Sequence, residues 1–501
     1  MTFLIRGGQL LDRTQSVLER ADVLIEGERI VAVGPELAAP ADAQRLDATG
    51  CVVLPGLINA HTHAHNNLTR CLGDNWTLED LWTHGPALYG GRTPEDQYLS
   101  AALGALEMLH TGCTAAFDMF SAVPAPTDEG VEAVVRAYTD VGLRAVLAPM
   151  ISDIVFYRVL PDLMDLLPAD LRRAVERIDA APAESLLRLA EDAIRRWDGA
   201  ASGRIRLGVA PTIPGHCSEA LLAGSAGLAR EHGVSLQTHT GESKVQAIHG
   251  LRRWGKTIVG HLADIGMLGS RFVAGHGVWL TAEDIGLLAD AGAAVAHNPA
   301  SNLKLGSGIA PIREMLDRGV GVGLGTDGSM SSDNQNMFEA MRFAALVSTV
   351  RFPHEQERWI GARAVWEMAT AGSARCLGLA GEVGAVARGC KADLVLLRAD
   401  SVFLRPLNHA VNALVYAETG AAAVTTVLVG GRVVLQDGRV LSVDEERLRA
   451  RAQSAVERLR AENADAWTFA EQLTPYVSAT CRTAVRTPYP VDYYAAPPIA
   501  R

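Results

Sequence analysis

Lysine is scarce in this chain, and acidic residues outnumber basic ones. Only four of the 46 basic residues are lysines, against 57 aspartates and glutamates, and the formal net charge is −11. A nucleic-acid groove needs a basic surface that can neutralise phosphates. The charge balance therefore argues against a nucleic-acid partner.

Long apolar runs and paired cysteines are also missing. No apolar run is long enough to cross a bilayer, so we expect no transmembrane helix and no membrane partner. The opening segment MTFLIRGGQLLDRTQ reaches Arg6 and a Gly-Gly pair before a signal-peptide core forms. The seven cysteines are odd in number and never spaced as C-x-x-C, which disfavours disulfides and a cysteine zinc site. These absences predict a cytoplasmic enzyme with reduced thiols.

The two ends of the chain share a β-rich texture. The length of 501 residues allows about three ordinary domains, or one large barrel with an accessory domain. Short β-prone runs separated by Gly-containing turns occupy both ends, and we predict that residues 1–56 and 380–440 form one small β-sandwich domain. Residues 441–501 would add a charged amphipathic helix, over 443–463, and an extended tail rich in Pro and Tyr.

Residues 57–379, by contrast, alternate between apolar strands and amphipathic helical stretches, such as 218–233 and 281–292. Such alternation implies parallel strands, and eight units suit an α/β fold of the (β/α)₈ TIM-barrel type. A doubly wound open sheet is disfavoured because GVGLGTDG lacks the G-x-G-x-x-G spacing. The eight β-prone runs are 51–60, 113–117, 143–149, 205–210, 234–238, 271–275, 293–296 and 320–326.

Polar residues recur where these strands end, at the level where barrel enzymes carry their catalytic groups. His61 and His63 close the first strand, and because residues i and i+2 point the same way, both imidazoles can reach one ion. Later strands end in the other members of the set. These are His239, His276, His297 and Asp327. Imidazoles with one carboxylate suit zinc or iron(II) and leave a position open for water.

A proton donor is needed beside such a metal. The ion lowers the pKa of water toward about 7 and so supplies hydroxide. Attack on a carbon that bears a nitrogen leaving group then requires a proton shuttle. Glu242 stands three residues beyond His239 in H-T-G-E, on the loop past the fifth strand, and could deliver that proton.

Six motifs together carry a family resemblance: PGLINAHTHAHNNLTR, QTHTGES, AGHGVWL, HNPASNLKLGSG, GLGTDGS and GEVGAVARGCKADLVLL. They resemble the amidohydrolase superfamily, and within it the branch of guanine deaminase, methylthioadenosine and S-adenosylhomocysteine deaminases and triazine hydrolases. The resemblance implies one divalent metal, zinc or alternatively iron(II), bound by four residues. It also implies Glu242 as the proton shuttle and His276 as a base or electrostatic partner of the attacking water. The implied metal ligands are His61, His63, His239 and Asp327.

A two-metal variant of this superfamily uses a carboxylated lysine from the fourth strand. The chain has no lysine between His63 and Lys244, so a single metal is the better interpretation.

Substrate contacts are expected from the long loop after the first strand and from HNPASN. Trp76 and Trp82 could stack on a planar heterocycle, and His297 and Asn302 could contact it at the barrel mouth. Segment 154–168 is apolar enough to be a lid or an interface. Five other histidines are expected to be structural: His65, His110, His216, His249 and His261.

The predicted function is that of an aminohydrolase, which replaces the amino group of a small N-heteroaromatic substrate with hydroxyl and releases ammonia. An alternative keeps the site but cleaves an amide, carbamate, urea-type, alkylamine or chloride bond. A non-catalytic metal-binding protein is a third hypothesis, which the complete ligand set with Glu242 disfavours. We also expect a homodimer or a higher homo-oligomer.

Overall fold

The structure is a computed structural model that describes residues 2–11, 18–418 and 420–494. Residues 495–501 of the tail predicted from the sequence lie outside the described part. The strands, in chain order, are β1 (Thr2–Leu11), β2 (Leu18–Glu26), β3 (Arg29–Gly34), β4 (Gln44–Asp47), β5 (Cys51–Pro55), β6 (Leu57–Thr62), β7 (Cys113–Phe120), β8 (Arg144–Ile151), β9 (Ile205–Pro211), β10 (Ser235–Thr240), β11 (Phe272–His276), β12 (Ala294–His297), β13 (Gly321–Leu324), β14 (Leu394–Arg398), β15 (Val424–Val429), β16 (Arg432–Gln436) and β17 (Arg439–Val440).

Both chain ends build one mixed sheet beside the barrel. Its strand order is β17-β16-β15-β14-β5-β1-β2-β3, with β4 paired to β1. The antiparallel pair β5–β14, in which Val53 lies opposite Leu396, joins the two ends of the chain. The predicted small β domain is thus present.

This sheet curls upon itself rather than splitting into two separate sheets. Ile30 at its far edge donates its N–H to the Cys390 carbonyl at 2.9 Å, and Ala392 donates to the Glu28 carbonyl at 2.8 Å. Val23 and Ile25 consequently pack in one core with residues of β14 and β15. The sandwich-like core therefore lies inside a single continuous sheet.

The first β-prone run, 51–60, contains two strands that belong to two different sheets. β5 ends at Pro55 in the β domain, and β6 begins at Leu57 in the barrel. Gly56 makes the change possible, because a Cβ there would lie 2.0 Å from the Thr114 hydroxyl oxygen. The sequence pattern could not show this division because both strands are apolar.

The barrel consists of eight strands, β6 to β13, and all seven neighbouring pairs from β6–β7 to β12–β13 are parallel. Its two edges meet just past β13, where Asp327 donates its N–H to the His61 carbonyl at 2.9 Å. The Asn59 amide also donates to the Thr326 hydroxyl at 2.7 Å. The predicted TIM-type barrel is confirmed, and all eight predicted strands are found.

Small and large apolar side chains fill the barrel interior, with alanines beside Phe117 and Met119. The helices outside it begin where the sequence signals them. Ser218 caps Glu219–His232, which ends at Gly233, and Thr281 with Asp284 forms a capping box at Ala282–Asp290. The predicted helices over 218–233 and 281–292 are thus confirmed.

The remaining α-helices are Leu78–Thr83, Gly85–Tyr89, Pro94–His110, Asp128–Val141, Leu163–Leu166, Ala169–Glu176, Ala183–Trp197, Ala200–Gly203, Lys244–Trp254, Ile258–Asp264, Pro299–Lys304, Ile312–Asp317, Met337–Arg351, Ala362–Glu367, Ser373–Cys376, Ala410–Asn412, Glu445–Glu462 and Ala464–Ala484. Short 3₁₀ turns occupy Ala64–Thr69, Phe156–Arg158, Pro214–His216 and Gln356–Arg358, and π turns occupy Met368–Gly372 and Ala413–Ala417.

The C-terminal region contains one helix more than the sequence analysis anticipated. Glu445–Glu462 matches the predicted amphipathic helix, but Ala464–Ala484 follows it directly. The internal Pro475 argues against a helix in sequence terms. Here the helix is stabilised by packing, because Leu473 and Val477 bury against the 154–168 segment. Within the described residues, no helix combines the length and apolar character that a membrane span requires.

A buried ion pair joins the barrel to the β domain and yields a stability prediction. Arg144 at the start of β8 donates to both carboxylate oxygens of Asp393 at 2.7 and 2.9 Å, and both side chains are almost fully buried. Asp393→Asn leaves the guanidinium buried without its counter-charge. We expect a loss of about 3–5 kcal/mol in unfolding free energy, measured by urea denaturation.

The exposed pair Arg188–Glu184 provides a matched control. Arg188→Met should cost less than about 1 kcal/mol, because exposed ion pairs contribute little. Equal losses in the two variants would contradict a special role for the buried pair.

Candidate metal centre and active site

Four strand ends place buried imidazoles and a carboxylate around one point. His61 lies on β6 and His63 directly follows that strand; His239 lies on β10, His276 at the end of β11, and Asp327 just after β13, and all five are at most 6% exposed. Their possible ligand atoms form overlapping triplets in which all members lie within 4.8 Å of one another. These triplets are His61–His63–His239, His61–His276–Asp327 and His239–Glu242–His276.

Two of these residues adopt a backbone conformation that residues other than glycine rarely take. His276 has φ of +66° and Asp327 has φ of +65°. Such strain costs on the order of 1–3 kcal/mol per residue and concentrates at functional sites. Here it turns each side chain inward at the point where its strand ends.

The ring orientation of the ligand histidines is set by bonds at Nδ1. His63 donates Nδ1–H to the Met119 carbonyl at 2.7 Å, and His239 donates to the Thr212 carbonyl at 2.6 Å. The Nδ1 of His61 lies 2.5 Å from the Gln237 amide oxygen. Because these oxygens only accept, each ring carries its proton on Nδ1 and leaves Nε2 as a ligand.

The three Nε2 atoms need a cation. The Nε2 atoms of His63 and His239 lie only 3.3 Å apart, and with the protons on Nδ1 both present lone pairs. Nε2 of His61 is buried and has no hydrogen-bond partner among the described residues. A positive ion would convert this repulsion into coordination. The residues therefore fit a divalent metal.

Asp327 supplies the negative charge of the site. Its Oδ1 lies 3.0 Å from Nε2 of His63 and 3.5 Å from Nε2 of His61, and its Oδ2 accepts a hydrogen bond from the Ser301 hydroxyl. Burial alone would raise the pKa of Asp327, but the adjacent imidazoles of His61 and His63 outweigh burial and hold it well below its usual value. Asp327 is therefore a carboxylate at neutral pH.

The pKa of Glu242 is shifted in the opposite direction. The residue is 2% exposed, and burial, followed by the nearby charges of Asp327 and Glu79, raises its pKa well above the usual value. Its Oε1 lies 3.7 Å from Nδ1 of His276. The raised pKa favours a protonated Glu242 carboxyl beside these imidazoles.

His276 is held as a neutral ring. Burial lowers its pKa to about 3. Its Nδ1 lies 2.8 Å from the Asn302 amide oxygen, which can only accept a hydrogen bond. Nε2 is therefore the acceptor, and it lies 4.0 Å from Oδ2 of Asp327 with no hydrogen-bond partner of its own in the described chain.

The loop that carries Glu242 is held from outside the barrel. Gly241 has φ of +59° and accepts the Trp279 N–H at 2.8 Å, and a Cβ at Gly241 would meet the Trp279 carbonyl oxygen at 3.4 Å. The C-terminal segment contacts this same region: the Tyr489 hydroxyl donates to the Trp279 carbonyl at 3.2 Å, and the Tyr493 hydroxyl to the Leu280 carbonyl at 2.6 Å. The end of the described chain thus braces the loop.

A cavity of about 220 Å³ opens onto these residues. Its wall includes His63, His239, Glu242 and Asp327, together with Trp82 from the loop after the first barrel strand. Residues 154–157, at the start of the 154–168 segment, also line it; the lid and the interface both stay predictions for this segment. Most of the remaining wall is apolar.

Three residues predicted to contact substrate do not line this cavity. Trp76 instead stacks on His84 with ring centres 4.2 Å apart. Asn302 is bound to Nδ1 of His276, and His297 is buried near His276, where burial lowers its pKa to about 3. The sequence predicted that all three residues lie at this end of the barrel, but it could not show in which direction their side chains point.

Two histidines that sequence reasoning treated as structural, His65 and His216, do line the cavity. Of the other three, His110 and His261 lie beside the carboxylates of Glu445 and Glu219, and His249 lies outside the cavity wall. Sequence reasoning also missed the residues that orient the site. Gln237, two residues before His239 on the same strand face, was the one with a usable signal.

Comparisons with known proteins agree with this geometry. The amidohydrolase family pattern matches residues 52–434. A 5′-deoxyadenosine deaminase of Methanosarcina mazei is 34% identical over 454 residues, which cover 90% of this chain and 96% of the relative. A 5-methylthioadenosine/S-adenosylhomocysteine deaminase of Symbiobacterium thermophilum is 35% identical over 468 residues, covering 91% and 98%.

Solved structures give the same result. Atrazine chlorohydrolase from Arthrobacter aurescens TC1, complexed with zinc, superposes with a TM-score of 0.81 at 30% identity and covers 91% of this chain and 100% of that one. An adenosine deaminase from Xanthomonas campestris with bound zinc gives 0.80 at 25% identity, covering 92% and 98%. The resemblance seen in the motifs is confirmed. The chain therefore belongs to the amidohydrolase family and is an enzyme that hydrolyses carbon–nitrogen bonds.

Proposed function

We propose that this protein is a metal-dependent aminohydrolase that removes the exocyclic amino group of an adenosine-type ring and releases ammonia. The observation that carries the proposal is the pair of buried carboxyl groups with opposite pKa shifts, Glu242 upward and Asp327 downward, on one set of imidazoles. Two groups held in opposite protonation states are what acid–base catalysis by one site requires. The names of the deaminase relatives support the choice of ring.

The metal would be held by His61, His63, His239 and Asp327, and when bound it lowers the pKa of water and so supplies hydroxide. Asp327, with neutral His276 beside it, accepts the proton that water loses. Glu242 donates its proton to the ring nitrogen next to the attacked carbon. The carbon–nitrogen bond then breaks as the amine takes up the proton held by Asp327 or returned through Glu242. The balance is ring–NH₂ and water to ring–OH and ammonia.

We assign one zinc ion per chain to this site, with iron(II) as the alternative metal. The zinc named in two similar structures supports the assignment. A single ion is supported by the ligand set, since none of the four lysines lies on a barrel strand of the described chain.

Location and assembly complete the proposal. The seven cysteines are all unpaired in the structure, which supports a reducing compartment such as the cytoplasm. A homo-oligomer stays a prediction, and light scattering of the purified protein would measure its size.

Displacement of chloride or an alkylamine from a triazine is the second candidate, favoured by the structural similarity to atrazine chlorohydrolase. The same site could perform it, because hydroxide attack on a ring carbon is common to both reactions. Ammonia release from adenosine derivatives, against chloride release from chlorotriazines, separates the two candidates.

The role of Glu242 can be tested with Glu242→Gln. Glutamine keeps the shape of the side chain and removes the transferable proton. We expect kcat to fall by about 10²-fold or more, with KM little changed, because the loss falls on the transition state. Ammonia release in a coupled assay measures both constants.

Metal content measured on the same Gln variant provides the control. It should match the wild-type protein, because the proposed coordination shell does not use Glu242. Near-normal turnover would indicate that a group other than Glu242 delivers the proton, and loss of metal would indicate that Glu242 is a metal ligand.

A second prediction concerns the ligand set. Wild-type protein should carry about one equivalent of zinc or iron by elemental analysis, and His63→Ala or Asp327→Asn should lose both metal and activity. Chelation should abolish activity, and added Zn²⁺ should restore it. Two tightly held ions per chain would contradict the single-metal assignment.

A further inference from the structure

A second, smaller pocket adjoins the metal cavity. The two spaces share four wall residues, Leu78, Trp82, Phe156 and His216. Three of these form an aromatic partition: the ring centre of Trp82 lies 5.5 Å from His216 and 6.2 Å from Phe156, and Phe156 lies 5.7 Å from His216. The side pocket is therefore the space next to the metal cavity, on the other side of these three rings.

The side pocket is lined chiefly by aliphatic and aromatic carbon. Its volume is about 30 Å³, which corresponds to about two water molecules. Walls of this kind favour apolar groups over water, since apolar cavities bind apolar guests. The aliphatic residues that define its far side include Val159, Leu160, Ile213, Val245 and Ile258.

Positive charge is missing from both spaces. Among the described residues that line them, none is Lys or Arg. Arg253 lies behind the wall, but its guanidinium donates to the carbonyls of Gly215 and Cys217 at 2.8 and 2.9 Å. Burial lowers the pKa of His216 to about 3 and that of His249 to about 4, so neither ring supplies a cation at neutral pH.

Acidic groups lie in the walls of both spaces and would disfavour an anionic substrate group. Glu79 is buried in the wall of the side pocket, where its carboxyl accepts a hydrogen bond from the Ser243 hydroxyl at 2.7 Å. Asp179 lines the metal cavity and is exposed. A carboxylate or phosphate on the substrate would leave water without a cationic partner and would face these groups.

We propose that the side pocket receives an uncharged aliphatic substituent of the substrate, and that both spaces reject substrates that carry a carboxylate or phosphate there. The proposal rests on the proposed aminohydrolase function. It adds the substituent that selects the substrate, with Val159 and Ile258 as residues that set its length.

The test uses the zinc-loaded full-length protein and 5′-alkylthio-5′-deoxyadenosines from methyl to butyl, with carboxyalkylthio compounds of equal length. We expect kcat/KM to rise by about threefold to fourfold per added methylene until the pocket is full, with the longest group no better than propyl. The carboxylates should be at least about 10²-fold poorer. A flat alkyl series, or carboxylates as good as alkyl groups, would overturn the proposal.

Two variants should move the preferred length in opposite directions. Val159→Phe fills the side pocket and should favour methyl, whereas Ile258→Ala enlarges it and should favour butyl. Ile285→Ala is the matched control, because Ile285 is equally buried on the outer helix Ala282–Asp290 and should keep the wild-type preference. If Val159→Phe does not fold, Ile258→Ala still tests the proposal, because an unchanged preferred substituent length in that variant would refute the assignment of the side pocket.

Binding measurements separate this inference from the proposed reaction. Titration calorimetry with the same series on a purine that lacks the amino group reports the substituent preference without turnover. If binding follows the alkyl trend but no adenosine derivative releases ammonia, the assignment of the side pocket stands and the proposed deaminase function is refuted. If ammonia is released but neither binding nor turnover depends on the substituent, the proposed deaminase function stands and the role of the side pocket is refuted.

Discussion

The mutual repulsion of imidazole nitrogens at the centre of the barrel is the constraint on which the site depends. Nε2 of His63 and Nε2 of His239 face each other at 3.3 Å, and backbone carbonyls hold the protons on the opposite ring nitrogens. The rings cannot relieve this contact by exchanging a tautomer, because Nδ1 would then lose its buried partner. A cation relieves it, so the fold itself creates the affinity of the site for a metal.

The same arrangement shifts the pKa values of the two carboxyl groups in opposite directions. The pKa of Asp327, which lies beside the imidazoles, is held well below its usual value, whereas that of Glu242, buried a short distance away, is raised well above it. Burial acts on both, and the difference arises from the partners: His61 and His63 stand beside Asp327, while Glu242 faces the negative charge of Asp327 itself. Two residues with similar intrinsic chemistry therefore receive opposite pKa shifts from their surroundings.

The rest of the chain keeps this geometry rigid and closed. The Arg144–Asp393 pair ties the lower end of the barrel to the β domain. At the upper end, the C-terminal tyrosines hold the Trp279 region, whose backbone in turn holds Gly241 next to Glu242. The helix Ala464–Ala484 packs on the 154–168 segment, whose first residues line the cavity. Distant parts of the sequence thus meet around the loop that carries Glu242.

The sequence alone determined the barrel, its eight strands and the level of the metal site, because each depends on local patterns. His61 and His63 share a strand face by their spacing, and His239, His276 and Asp327 follow apolar runs that end at the same rim. Only the tertiary structure decided which side chains line the cavity. Trp82 and Trp76 lie in one loop, yet Trp82 lines the cavity and Trp76 stacks on His84. His216 joins Trp82 and Phe156 at the side pocket although more than 50 residues separate each from the next along the chain. Such contacts depend on how loops from different strands fold over one another, and no local pattern in the sequence indicates which loops meet.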